Sequence, residues 1–213
     1  MTKIILQELS NKKIPVNEPS SIIEQLTEAF RCLPGVGPKS AQRMVWHLLQ
    51  RDRQGGIHLA DKLAEAMKAV GRCESCRNLT ENSICDLCSS KSRDSGTLCI
   101  VETPADVLAI EQSGSFRGYY FVLMANLSPI DGIGPEEIGI EQLINRCGQG
   151  VKEVILAMGS SIEGEATAHY ISEVVKPLGI QLSRIAHGIP LGGELEFVDG
   201  GTLTHALEGR KTV

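Results

Sequence analysis

The chain has 213 residues, 42% of them hydrophobic and 22% charged, with a formal net charge of −5 and seven cysteines. That length suits one ordinary domain or two to three small ones, and the composition is that of a globular protein able to bury a core. No apolar run reaches about 18 residues, and Met1–Ser10 lacks a small-residue cleavage site, so a cytoplasmic chain with no membrane partner is expected.

The charge is unevenly divided. From residue 97 onward 15 acidic residues stand against 7 basic ones, whereas the first 96 residues hold 11 against 14. Within 31–53, Arg31, Lys39, Arg43, Arg51 and Arg53 stand against the single acid Asp52. A basic first part joined to an acidic remainder suggests one module for polyanions and another for a different partner. Chance clustering of solvated charges is the alternative.

In chain order, residues 1–19 carry Lys12, Lys13, Pro15 and Pro19 without helical period and read as a flexible extension. Ser21 and Glu24 have the spacing of a capping box, and Ile22, Ile23, Leu26, Phe30 and Leu33 form the stripe of a first helix. Pro34-Gly35-Val36-Gly37-Pro38 interrupts it. Pro38 suits the first turn of a second helix, whose stripe is Ala41, Met44, Val45, Leu48 and Leu49, and Gln54-Gly55-Gly56 is expected to end it. A third helix is predicted from about His58 to Val70. Residues 72–96 are polar, cysteine-bearing and poor in aliphatic side chains. Beyond them Leu98–Val101, Tyr119–Met124 and Val154–Met158 are continuous apolar runs of strand length. Helix-like segments at 105–112, 135–147 and 163–175 separate or follow them. Unalternating strands between helices imply a parallel sheet covered on both faces. The fold class expected is α/β and multi-module, with helices and a cysteine module ahead of the sheet.

Cys73-x2-Cys76 and Cys85-x2-Cys88 lie eight residues apart. Each pair can curl round one side of a metal while the connector closes a tetrahedron, and four thiolates suit Zn2+ best, with iron as the lesser alternative. A module of about 25 residues with Leu79, Ile84 and Leu87 as its main apolar content needs such a staple to fold. A redox pair would require a thioredoxin-like helix, and a catalytic zinc an open position, so one structural Zn2+ is expected. Cys32, Cys99 and Cys147 read as core residues.

Leu33–Ser40 fails as a phosphate-binding P-loop, because Pro38 separates Gly37 from Lys39 and a helix precedes the loop. A helical hairpin fits instead. Gly35 and Gly37 permit a tight turn whose backbone N–H groups, with those of the next helical turn, can approach a phosphate. Lys39 and Arg43, four apart, share a face that could grip adjacent phosphates without reading sequence. A plain helical turn with glycines for packing is the competing reading. In the acidic half, Glu102 and Asp106 follow the first strand, and Glu163 and Glu165 follow the third. They are either carboxylates gathered for Mg2+ or acidic residues favoured at helix N-termini, and spacing does not choose between these.

The segments LPGVGPKSAQRM (33–44), IVETPADVLAIEQSG (100–114), YFVLMANLSPIDGIGP (120–135), EGEATAHYI (163–171) and RIAHGIPLGGELEFVDGGTL (184–203), together with the cysteine quartet, resemble the bacterial RecR family of recombination mediators over roughly residues 20–213. The resemblance implies a helix–hairpin–helix DNA-binding domain at 20–71 and a four-cysteine zinc finger at 72–96. It further implies a Toprim domain at 97–185 and a carboxy-terminal segment at 186–213 used in oligomerisation. It implies ring-like dimers or tetramers at the nucleoid that bind single- and double-stranded DNA without sequence specificity. These would act with RecO and RecF to load recombinase at single-stranded gaps during recombinational repair. Lys39 and Arg43 fall on the family's DNA-contacting positions, and Glu102 matches the glutamate that ends the first Toprim strand. Catalytic Toprim enzymes such as type IA topoisomerases carry an Asp-x-Asp where this chain has Gly159 and Ser161. A scaffold without turnover is therefore expected, with a metal-dependent nuclease or topoisomerase-like enzyme as the alternative. Glu102, Glu163 and Glu165 then read as an acidic surface for a basic partner, RecO.

Overall fold

A computed structural model describes residues 21–186, 188, 189 and 192–210; the extension expected at 1–19 lies outside them. The chain divides into two compact units after Lys68.

The first unit is three helices, α1 (Ile22–Phe30), α2 (Pro38–Gln50) and α3 (Arg53–Ala69). The capping box forms: Ser21 Oγ accepts from Glu24 N at 3.2 Å and the Glu24 carboxylate accepts from Ser21 N at 3.1 Å. Such a cap stabilises a helix start by about 1 kcal/mol. Ala41 and Val45, one turn apart on α2, are the only buried residues of this unit among those described. The glycine pair does not behave as expected. α2 already stops at Gln50, and Gly55 and Gly56 lie inside the first turn of α3. Asp52 caps that turn, its Oδ1 accepting from Gly55 N at 2.8 Å. A Cβ on Gly55 would run into the Asp52 carboxylate that caps the turn, whereas one on Gly56 would make only an ordinary contact with Leu48.

The second unit is built on a four-stranded parallel sheet of order β4-β3-β5-β6. Its strands are β3 (Asp94–Val101), β4 (Gly118–Val122), β5 (Glu153–Ala157) and β6 (Gln181–Arg184), preceded by a two-stranded ribbon of β1 (Gly71–Arg72) and β2 (Leu79–Thr80) and a short helix α4 (Asp86–Ser89). The crossovers carry α5 (Pro104–Ser113), α6 (Ile140–Cys147) and α7 (Ile162–Val175), and α8 (Gly200–Glu208) follows the sheet. Strand alternation divides the apolar runs between two cores, because successive side chains point to opposite faces. Leu98, Ile100, Phe121, Val154 and Leu156 pack with Leu143 of α6 and Ala168, Ile171 and Val175 of α7. Cys99, Val101, Tyr120, Val122 and Ala157 pack with Val107 of α5 and with Leu87 of the cysteine module. Both faces are thus covered, as the unalternating runs require. β6, with one strongly apolar residue in Gln-Leu-Ser-Arg, carries no such run and is found only in the structure. No helix among the described residues is long and apolar enough to cross a membrane.

Candidate functional site

The four cysteines converge as their spacing predicts. β1 ends at Arg72, one residue before Cys73, and pairs antiparallel with β2, so the first Cys-x2-Cys lies in the ribbon's loop. Cys85 is the N-cap of α4, which carries Cys88 in its first turns. All four Sγ atoms lie within 4.8 Å of one another, and Cys76 Sγ is 3.5 Å from Cys85 Sγ. Thiolates about 2.3 Å from a tetrahedral Zn2+ stand roughly 3.8 Å apart, so this set fits the ion. Cys73, Cys76 and Cys85 are buried, and Cys85 N donates to Cys73 Sγ at 3.3 Å. Without an ion the thiols compete for protons. Hydrogen bonding from Cys76 holds Cys88 down at about 5, while the same pairing and burial raise Cys76. Burial pushes Cys85 up to about 11. A dication removes the reason for that spread by neutralising the crowded thiolates.

Sequence reasoning passed over Arg77, which sits between the two cysteine pairs in the left-handed conformation (φ +64°). It is 5% exposed. Its Nη2 donates to Glu137 O at 2.7 Å and Leu123 O at 3.4 Å, and its guanidinium lies 6.0 Å from the Phe121 ring centroid. Val122 N donates to Cys76 O at 2.8 Å. The cysteine module is therefore fastened to the sheet by a buried arginine and by main chain. Gly139 makes room for this: a Cβ there would collide with the Arg77 guanidinium, and its φ of +77° already favours glycine.

At the hairpin, Gly35 adopts φ +77°, while Gly37 is extended (φ −80°, ψ 172°) and is the N-cap of α2. No side chain caps that terminus, and neither glycine has an atom within 4 Å of where its Cβ would stand. The first turn of α2 is therefore left without a side-chain cap, and an anion at that terminus is favoured by the helix dipole. Lys39 and Arg43 are exposed, and the ion pairs among the described residues of this unit, Arg31–Glu28 and Lys62–Glu65, involve neither.

The acidic residues are brought to one end of the sheet but not into one cluster. Glu102 follows β3, and its Oε1 accepts from Gly159 N at 2.9 Å. Ser161 is the N-cap of α7, its Oγ accepting from Gly164 N at 3.0 Å. Gly164 is packed so tightly that a Cβ would run into the Gly159 carbonyl oxygen and the Glu102 carboxylate. Glu165 is gripped by both Arg184 nitrogens at 2.6 and 2.5 Å. Asp106 closes a capping box with Thr103, its Oδ2 accepting from Thr103 N at 2.7 Å. Among the described residues the cysteines are the one group of three or more side chains placed to share a metal ion.

A four-stranded parallel sheet with a docked four-cysteine finger, in one chain with a helical hairpin, defines a modular α/β protein. The family models matched are the RecR helix-hairpin-helix over 23–67, the RecR four-cysteine zinc finger domain over 70–90, the Toprim domain over 96–186 and the RecR C-terminal segment over 188–211. The chain is 60% identical over 195 residues to the Recombination protein RecR of Saccharophagus degradans, covering 91% of this chain and 99% of that protein. It belongs to the RecR family.

Proposed function

We propose that this chain is a DNA-binding recombination mediator that works as an assembled scaffold, without catalytic turnover, and holds one structural Zn2+ in Cys73, Cys76, Cys85 and Cys88. The observation that carries DNA binding is the uncapped α2 terminus beside the exposed Lys39 and Arg43, which no acidic side chain of the described residues pairs. Contacts of this kind neutralise phosphates and carry no sequence information. Replacing both Lys39 and Arg43 by alanine is expected to weaken binding to single- and double-stranded oligonucleotides alike. It should also flatten the log–log salt slope by about 1.4 for single strands, the worth of two phosphate contacts. Unchanged affinity and slope in anisotropy titrations at two salt concentrations would remove the hairpin from the DNA site.

Absence of turnover is supported by Gly159 and Ser161, which offer no carboxylate, and by the employment of Asp106 as a cap and of Glu165 by Arg184. Glu102 and Glu163 remain the carboxylates best placed for a basic partner surface, which the family resemblance assigns to RecO, with RecF as a further partner in loading recombinase at gaps. Any basic partner of Glu165 must compete with Arg184.

Self-assembly is supported by apolar surface that the described residues leave uncovered. In the first unit Ile57, Leu63 and Met67 are 56%, 56% and 73% exposed, and a cavity of about 580 Å³ lies among its three helices. In the carboxy-terminal segment α8 buries nothing, and Phe197 is 81% exposed. Apolar faces on two modules suit a closed ring of dimers or a tetramer, whose repeated hairpins would bind DNA with avidity. The solution mass, measured by light scattering, should be at least twice the 23.0 kDa of one chain. A monomer at micromolar concentration would end the ring reading.

A further inference from the structure

Trp46 is the only tryptophan of the chain, and it stands on the wrong side of α2 for a core residue. At 100° per residue, Lys39, Arg43, Trp46 and Gln50 fall within an arc of about 60°, roughly opposite the buried Ala41 and Val45. The indole is 41% exposed, and it shares the lining of an open cleft of about 810 Å³ with Arg43, His47 and Arg51. A large flat ring set in line with two phosphate-binding cations, with a third cation at the end of the helix, is the arrangement by which single strands are held. Cations take the backbone and the ring takes the face of an unpaired base, to which every base is equally suited. A flush duplex buries its base faces in its own stack and offers the ring nothing but its ends.

We propose that Trp46 is a stacking platform for an unpaired base of single-stranded DNA, placed beside the backbone grip of Lys39 and Arg43. The proposal rests on the hairpin reading above and adds to it a reason for preferring single strands. It makes the hairpin a two-part site, with phosphate contacts common to all DNA and one contact open only to unpaired bases.

The sole indole is its own reporter. Titrating the full-length protein with a 20-nucleotide oligo(dT) should quench its emission, with the same midpoint as the anisotropy of labelled oligo(dT). A blunt-ended duplex of equal length should bind with little quenching. Trp46→Ala should weaken oligo(dT) binding by between about 5-fold and 150-fold, the range for loss of one base–aromatic stack, and leave duplex affinity within about twofold. Trp46→Phe should restore most of the single-strand affinity. The outcomes separate the two readings. If the double alanine variant at Lys39 and Arg43 binds both DNAs normally, the hairpin reading fails and takes the stacking with it. If that variant loses binding while oligo(dT) leaves the wild-type emission unchanged and Trp46→Phe and Trp46→Ala bind as wild type does, the hairpin stands and the stacking is overturned. An indole already blue-emitting and shielded from acrylamide in the DNA-free protein would place Trp46 in a contact between copies, and also overturns it.

Discussion

Alanine at Cys85 should strip the protein of its zinc and unfold residues 70–90 while the helices of the first unit persist. The finger has no apolar core of its own: besides Arg77 its buried residues are Cys73, Cys76 and Cys85, with Ile84, Leu87 and Cys88 partly buried against them. Zinc binding in modules of this kind contributes an apparent 10–16 kcal/mol, roughly the whole of their folding free energy, at neutral pH. Metal analysis should give one zinc per wild-type chain and much less for Cys85→Ala, with hydrogen exchange accelerated across 70–90. Zinc content equal to wild type would remove Cys85 from the ligand set. The pH dependence has a definite sign. Every thiol must surrender its proton to bind the ion, and burial raises Cys85 to about 11 in the metal-free protein. Falling pH therefore favours the protonated, metal-free form, and chelators should extract zinc progressively faster below neutrality.

The second large effect is expected at Arg77. Arg77→Ala leaves the buried carbonyl of Leu123 without its donor, while the Glu137 carbonyl is only partly covered and can turn to water. A buried unsatisfied group costs about 1–3 kcal/mol, so a loss of about 1–3 kcal/mol is expected in denaturant unfolding. Gly139→Ala attacks the same contact from the other side, since the new methyl group displaces the guanidinium and also strains a left-handed backbone. The two changes should therefore be strongly non-additive. Once Arg77 is gone, Gly139→Ala should cost only its backbone strain, about 1–2 kcal/mol. Additive losses in the double-mutant cycle would show that the two residues act independently.

Features encoded by residues close in sequence were legible without coordinates. The cysteine quartet needs only two short spacings and a connector. The Ser21–Glu24 cap needs only two residues one helical turn apart, and the two-faced sheet announces itself in apolar runs such as Leu98–Val101. What escaped depends on pairs that spacing does not link. Arg77 meets Glu137 sixty residues away, and Arg184 meets Glu165 across nineteen. β6 is an edge strand that is at most half-buried along its length, so Gln181–Arg184 had no need of an apolar run. Gly55 and Gly56 look like a helix stop, and only the Asp52 cap, which leaves no room for a Cβ on Gly55, shows why they begin one. The acidic residues were ambiguous between ligands and caps for the same reason. Spacing placed Asp106 and Glu165 correctly on helix starts, but their partners decide what they do.

The bond from Val122 N to Cys76 O has one more consequence, for solubility. β4 is an outer strand of the sheet, and its Gly-Tyr-Tyr-Phe-Val sequence is what a foreign strand would pair with most readily. The finger lies against the free side of β4 at Val122 and occupies its outward-pointing donor. The opposite border, β6, is polar and ends in an arginine, which discourages such pairing by itself. The cysteine module thus acts as a selvedge at the Val122 end of the apolar border, the end where a foreign strand would otherwise find a free donor.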